Sequence, residues 1–308
     1  RVTGGAGSGL RRRSGRLKPR DLTDLLLLAA LWGGSFLFMR YAAPAFGAAP
    51  LMWIRVAIAS ACLLPLLLAS GQGRELVSRA GVMTVMGVAN SALPFVLIAW
   101  ATLSIAAGLA AILNATTPIF TAIVAALWLR ERLTAVRLVG LALGLAGVVV
   151  LAADKADFKP GGSGWALLAS LAAAVSYGFA ANYARRHVTG VPALVNATGS
   201  QVAATVVLAP FAWWLWPGRT PGLLAWGAAL ALGVGCTALA YLLYFRLLAR
   251  VGPARAVTVT YLVPLFATVW GALLLDEAFT LRMAVGGAIV LAGTALATGL
   301  WSPGRRAG

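Results

Sequence analysis

Ten side chains near the centres of long apolar runs are the first candidates for chemistry: Trp32, Asn90, Ser91, Asn114, Thr117, Tyr177, Gln201, Thr237, Thr260 and Tyr261. They are hydroxyls, amides and polar aromatics, which bind a solute reversibly through hydrogen bonds and ring contacts. A bond-making centre needs more. Metalloprotease chemistry requires H-E-x-x-H, whereas His187 is the sole histidine and follows Arg185 and Arg186 in a loop. An intramembrane serine protease needs a histidine or lysine beside its serine, and no lysine falls in an apolar run. Cys62 and Cys236 lie far from any CxxC or histidine partner, so neither a metal nor a cofactor is expected.

Polar groups at such depth are costly and face a bundle interior or a wet cavity. Asn114, Thr117 and Thr121 recur at intervals of three and four, which places one polar stripe on an otherwise apolar helix. The plain alternative is a hydrogen bond between neighbouring helices, worth about 0.6 kcal/mol each. That reading suits Ser91, Thr121 and Thr237, while the donor and acceptor capacity of Asn90 and Asn114 points to a cavity. Trp32 and Tyr177 are either cavity walls or lipid-facing packing.

Arg55 sits about four residues inside its run. Either it snorkels to the interface, or it offers a guanidinium to an anionic group on a solute. Arg40 and Arg185, at run ends, read as interfacial anchors. Pro118 and Pro264 each remove a backbone donor in mid-run, which frees a carbonyl for a ligand, a hinge or a static kink. Glu131 and Glu277 close two runs at a helix C-terminus, where the dipole opposes a carboxylate. Their recurrence calls for a compensating contact, with Arg130, Arg132 and Arg282 the nearest cations, and a role in loop geometry or in gating. Thr134 and Thr280 are placed to cap the helices that follow.

These residues depend on elements that only lipid can solvate. Of 308 residues, 61% are hydrophobic and 11% charged, against about 25% charged in a soluble domain. A spanning helix needs about 20 apolar residues, and ten runs qualify: 22–40, 49–70, 80–101, 104–129, 134–152, 165–184, 192–214, 223–247, 252–275 and 280–300. The net charge of +17 lies between the runs and not on one face, which argues against nucleic acid as a partner. With residues 1–20 in the cytoplasm, 19 of the 25 cations are cytoplasmic, the retention expected of short loops. Both termini are then inside a cytoplasmic, or inner, membrane, and the basic tail also attracts anionic lipid. The first run is too long for a cleaved signal.

Residues recur 146 positions apart: Pro118 and Pro264, Glu131 and Glu277, Thr134 and Thr280, Gly140 and Gly286, Gly147 and Gly293. An offset of 145 pairs Trp32 with Tyr177, Arg40 with Arg185, and Pro65 with Pro210, and sets Ser200 opposite Arg55. The chain therefore reads as an all-α membrane protein of ten spanning helices in two five-helix repeats. Five is odd, so the copies enter the bilayer from opposite sides, an inverted arrangement typical of secondary transporters. The division is a basic tail (1–21), a first repeat (22–152), an outer linker (153–164), a second repeat (165–300) and a second tail (301–308).

The segment Ala30-Leu31-Trp32-Gly33-Gly34-Ser35-Phe36, Arg55, and the stretch from Ala106 through Asn114 and Pro118 to Glu131-Arg132-Leu133-Thr134 resemble the EamA-type family of the drug/metabolite transporter superfamily. The resemblance covers roughly 22–300. It implies a transporter that moves a small metabolite by alternating access, an amino acid or related compound or a toxic compound, as an exporter or facilitator. A scaffold or sensor that moves nothing is the competing class. The expected substrate set is Trp32, Arg55, Asn90, Asn114, Thr117, Tyr177, Gln201 and Tyr261, with Pro118, Pro264, Glu131 and Glu277 as hinges or gates. The partners are a small molecule and lipid, with oligomeric state open. The fifth and tenth helices, almost free of polar side chains, are expected to be supports and not solute walls. All eight acidic residues fall in tails, loops or run ends, so no midplane proton carrier is expected.

Overall fold

The computed structural model describes residues 18–153, 157–159 and 162–298. The tail 301–308, most of the tail 1–21 and part of the linker 153–164 lie outside the described residues. Nine helices among those described are long and apolar enough to cross a membrane. They are α1 (Pro19–Phe46), α2 (Ala48–Ala69), α3 (Ala80–Ala101), α4 (Ala107–Trp128), α5 (Ala135–Ala152), α6 (Gly164–His187), α7 (Ala193–Trp214), α8 (Leu223–Val251) and α10 (Leu281–Thr298). Between α8 and α10 lies a shorter apolar helix of 17 residues, α9 (Val259–Leu275).

The ends of these helices follow from local chemistry. Proline in the first turn of α1 supplies the preset φ that a helix start tolerates. Gly47, at φ 80°, is the single residue between α1 and α2, and an L side chain is disfavoured in that backbone. The span expected at 22–40 is too short at both ends. Arg40 does not stop α1, because its guanidinium donates to Thr102 O and Leu103 O and pairs with Glu277. Asp21, expected in the tail, and Asp24, expected at a run end, lie inside α1, where they are buried and pair with Arg250 and Arg246 of α8. The run expected at 252–275 is likewise divided, into a short helix Pro253–Ala256 and α9.

Several helices are irregular in midspan. A π-helical segment occupies Val88–Ala92 in α3 and another Ala231–Leu239 in α8; with the 146-residue offset the two overlap. The hydrogen-bond ladder of α4 breaks at Ala115 and Thr116, just before Pro118, whose ring would crowd the carbonyl of Asn114. Freed carbonyls find partners: Thr116 Oγ1 donates to Leu113 O, Thr117 Oγ1 to Asn114 O, and Thr294 Oγ1 of α10 to Ala115 O. The break before α9 is satisfied in the same way, with Thr258 Oγ1 on Arg255 O and Thr260 Oγ1 on Val257 O. Membrane helices tolerate such breaks only when the released groups are paired internally.

Close contacts recur with the same offsets. Gly33 of α1 abuts Phe266 and Ala267 of α9, and Gly178 of α6 abuts Phe120 and Thr121 of α4. Gly87 of α3 meets Ser200 to Ala204 of α7, and Gly233 of α8 meets Arg55 and Ile58 of α2. Ser60 of α2 and Thr205 of α7 face each other at 3.2 Å between hydroxyls. Helices α5 and α10 press backbone to backbone through Gly140, Gly144 and Gly147 on one side and Gly286 and Gly293 on the other, as small residues allow in lipid. The largest core cluster fills the end away from residues 19 and 298, with Phe46, Leu51, Phe95 and Ile105 among its members.

A Cβ at position 293 would lie 2.3 Å from Gly144 N, whereas one at position 227 meets nothing within 4 Å. Gly293→Ala should therefore cost about 1–3 kcal/mol through overpacking, while Gly227→Ala is neutral or slightly stabilising. Melting of the two purified variants checks this; equal melting temperatures would refute the closeness of the α5–α10 contact.

Candidate functional site

A cavity of about 650 Å³ lies inside the bundle. At its deep end stand Arg55, Met39, Phe95 and Ile98; its walls carry Trp32, Asn90, Asn114, Tyr177 and Tyr241; toward residue 298 it reaches Glu131, Arg137, Arg185 and Thr298. The packed core seals the deep end, so the cavity has one mouth, at the end where the described chain begins and finishes. Helix α9 packs on the Ala107–Asn114 half of α4. The Thr117–Trp128 half of α4 packs on α6 and α10 instead, and the cavity separates it from Val257, Thr260 and Tyr261. The two helices thus cross like scissor blades, closed at one end and apart at the other.

Of the expected set, Trp32, Arg55, Asn90, Asn114, Thr117, Tyr177 and Tyr261 line this cavity, as do Pro118 and Glu131. Gln201 does not. It is fully buried and donates from Nε2 to Ser91 Oγ at 2.9 Å. Pro264 and Glu277 also lie outside the lining. Asn90 Nδ2 donates to Tyr241 OH at 3.2 Å, and Tyr261 OH lies 3.0 Å from Thr298 Oγ1. Asn114 Oδ1 is buried with no hydrogen-bond partner, an orphan that a solute donor would satisfy. Trp32 packs against Tyr244, with ring centroids 5.5 Å apart.

Arg55 is deep and 4% exposed, which removes the snorkelling alternative. Its Nε donates to Thr237 Oγ1 at 2.8 Å, and Thr237 in turn donates to Leu232 O within the π segment of α8. Its guanidinium carbon stands 3.8 Å over the Phe95 ring, a cation–π contact. Gln201 makes the matching bond in the other half, from α7 to Ser91 in the π segment of α3. Sequence reasoning set Ser200 opposite Arg55; its neighbour Gln201 makes the bond.

The two glutamates sit on identical turns. Arg130 and Asp276 are left-handed (φ 54° and 53°), and the N–H groups of Glu131 and Glu277 close back onto Ala125 O and Gly271 O, the Schellman pattern at a helix end. The ion pairs found for them among the described residues run to the other half of the chain. Glu131 pairs with Arg185 at 2.5 Å and Glu277 with Arg40 at 3.5 Å, so both presumed anchors are ion-pair partners across the halves. Glu277 goes further and accepts the N–H of Ala107 on both oxygens, at 3.0 and 2.9 Å, where the α4 dipole favours a carboxylate. The position matching Ala107 in the second half is Pro253, which has no N–H. Thr134 Oγ1 and Thr280 Oγ1 accept from Arg137 N and Met283 N as the expected caps.

Sequence reasoning missed Phe95, Met39, Tyr241 and Tyr244, all on the lining, because an aromatic or thioether on an apolar helix looks like core. The spacing of Tyr241, Tyr244 and Phe245 along one face of α8 was the available signal. The view of the tenth helix as support only is corrected: Ala297 and Thr298 of α10, with Arg137 of α5, reach the mouth.

Because Glu277 has two partners, the Ala107 N–H and Arg40, and Glu131 has the single ion pair with Arg185, their removal should differ. Glu277→Ala is expected to cost about 1.5–3 kcal/mol, the range for hydrogen bonds to a charge, and Glu131→Ala less than about 1 kcal/mol, as for an exposed pair. Thermal unfolding of both variants in detergent measures the order, and the reverse order would contradict the asymmetry.

Comparison with known proteins adds the last element. A curated protein named "Probable terminal-alkyne amino-acid exporter", from Streptantibioticus cattleyicolor, is 28% identical over 287 residues, covering 88% of this chain and 91% of that one. A protein of Archaeoglobus fulgidus named "Uncharacterized transporter" is 24% identical over 269 residues, covering 87% and 95%. One solved crystal structure shares the fold with a TM-score of 0.64 at 23% identity, over 91% of this chain and 98% of that one. The profile of the EamA-like transporter family matches residues 24–153 and again 164–299. With its many apolar helices this chain is a multi-pass membrane protein, and it belongs to the EamA-like transporter family.

Proposed function

We propose that the protein is a secondary transporter that carries a small metabolite across the cytoplasmic membrane by alternating access. In this reading ten helices span the bilayer as two inverted five-helix repeats, 22–152 and 165–300, with both termini in the cytoplasm. The paired contacts with offsets of 145 and 146 residues support the inversion, as does the double match of the family profile. The printed name of the Streptantibioticus relative favours an amino acid or related compound and the export direction. A toxic compound is the second substrate class.

The observation that carries the reading is the cavity with a single mouth between two crossed helices. With the termini inside, the mouth faces the cytoplasm. The contact of Glu277 with Ala107 shuts the outer end. Export requires α4 to pivot about its midspan break and α9 about the break that precedes it, so that Glu277 leaves Ala107 while Glu131 approaches Pro253. The ion pairs Arg40–Glu277 and Arg185–Glu131 tie α1 to α9 and α6 to α4, and they travel with the blades. Since Pro253 cannot repeat the cap of Ala107, the inward-facing form has the stronger closure. Asn90, Asn114, Thr117, Tyr177 and Tyr261 supply neutral contacts within the cavity, Trp32 an aromatic wall, and Gln201 holds α7 to α3.

Energy coupling follows from the charges. The charged side chains on the lining are Arg55, Glu131, Arg137 and Arg185, and the one carboxylate among them lies at the mouth. A proton pump needs a buried carboxylate that loads and releases near neutral pH. We therefore read the transport as facilitated or exchange flux, without enzymatic chemistry. In proteoliposomes, apolar amino acids should move down their own gradient with no pH gradient imposed. A strict need for a pH gradient that persists in Glu131→Gln and Glu277→Gln would overturn this coupling, and the absence of flux for every solute tried would favour a scaffold.

A further inference from the structure

We propose that Arg55 is the counter-ion of a carboxylate on the solute, and that the solute is an apolar molecule bearing a single such group at the deep end of the cavity. Its passage rests on the transport reading above; its binding rests on the cavity alone.

Among the described residues the charge of Arg55 has no acidic partner. Its protein contacts are Thr237 Oγ1, Met39 Sδ at 3.9 Å from one terminal nitrogen, and the Phe95 ring. No ion pair among the described residues includes it. A buried cation left unpaired is strongly disfavoured, and an anion arriving in the cavity removes that penalty. The structural work at this position needs no charge, because the amide of Gln201 joins α7 to α3 in the same manner as Arg55 joins α2 to α8. What distinguishes the two halves is a guanidinium whose Nε is hooked to α8 while its remaining edge is free of carboxylate. Such an edge matches a carboxylate with two parallel hydrogen bonds.

The surroundings limit what accompanies that group. Phe36, Met39, Met86, Phe95 and Ile98 give the deep part an apolar wall, with Ser35, Asn90, Tyr177 and Tyr241 as its neutral polar lining; a body with more polar groups than these can pair would be desolvated there without compensation. A doubly charged phosphate needs more than one cation; the other cations on the lining, Arg137 and Arg185, stand at the mouth, with Arg185 held by Glu131. A purely cationic solute meets only repulsion from Arg55.

Matched probes test this on the purified wild-type protein in nanodiscs: phenylpropanoate against phenylpropanamide, and phenylalanine against phenylalaninamide, each pair sharing one apolar body. Binding is read by tryptophan fluorescence and by thermal shift. In at least one pair the carboxylate should bind at least about tenfold more tightly than its amide. Arg55→Gln, which can keep the Thr237 hydrogen bond as Gln201 keeps its own, should abolish the preference, and Arg55→Lys should retain part of it. Amides that bind as well as their carboxylates, carboxylates that do not bind at all, or an Arg55→Gln variant with its preference intact would overturn the proposal. If Arg55→Gln fails to fold, the wild-type pairs and Arg55→Lys still decide. Carboxylate-selective binding without flux in liposomes would sink the transport reading and leave the Arg55 assignment standing; flux of amides and carboxylates alike would do the reverse.

Discussion

A single carboxylate closes one end of this molecule. Glu277 accepts the first N–H of α4 on both of its oxygens and holds Arg40 beside it, so the C-terminal end of α9 is fixed against the N-terminal end of α4. The interaction satisfies an orphan donor and sets a negative charge where the helix dipole favours it. The cavity, its one mouth and the splay of α4 from α9 at the far end all follow from where that contact is made. The corresponding carboxylate, Glu131, stands on the same left-handed turn, but the position that matches Ala107 is Pro253, which has no N–H to donate. Two nearly equivalent halves are thereby made unequal by one missing N–H.

The second constraint is that lipid leaves no backbone group without a partner. Midspan π segments in α3 and α8 and breaks in α4 and before α9 would each expose carbonyls; threonine hydroxyls take up those at the two breaks and Leu232 O in α8, and Ser176 Oγ takes up Ala89 O in α3. π segments often mark functional sites, and here both are held by a side chain from the opposite half: Arg55 on Thr237 and Gln201 on Ser91. A ligand that engages Arg55 therefore touches α2 and, through Thr237, the irregular part of α8. Under the proposed assignment, a solute held by Arg55 is thereby connected to α2 and α8 together.

Much of the fold was legible in the sequence because an apolar run of spanning length has few other uses. The expected span 80–101 coincides with α3, and 49–70 and 192–214 differ from α2 and α7 by a residue at one or both ends. Failures arose where a charged residue had a distant partner. Arg40 read as an end signal, yet α1 continues past it because Glu277 and two carbonyls receive it. Asp21 read as tail and Asp24 as a run end, yet both lie inside α1, paired with arginines of α8. Polar cavity residues such as Asn90 and Asn114 stood out against an apolar background. Gln201 stood out equally, and its pairing with Ser91 is a matter of three-dimensional neighbours that no local pattern carries. Phe95 and Met39 gave no sign, because an apolar wall and an apolar core have the same composition.

The central claim is that the two ends of the α4–α9 crossing open in alternation. Spin labels at Ser104 and Ala278 report the closed end, and labels at Arg132 and Arg255 report the mouth; all four positions are exposed. Pulsed dipolar distances in nanodiscs, with and without a solute shown to move in liposomes, test the claim directly. The account predicts that solute lengthens the 104–278 distance in a fraction of molecules and shortens the 132–255 distance in the same fraction. Distances that ignore the solute, or that lengthen or shorten together, would contradict it.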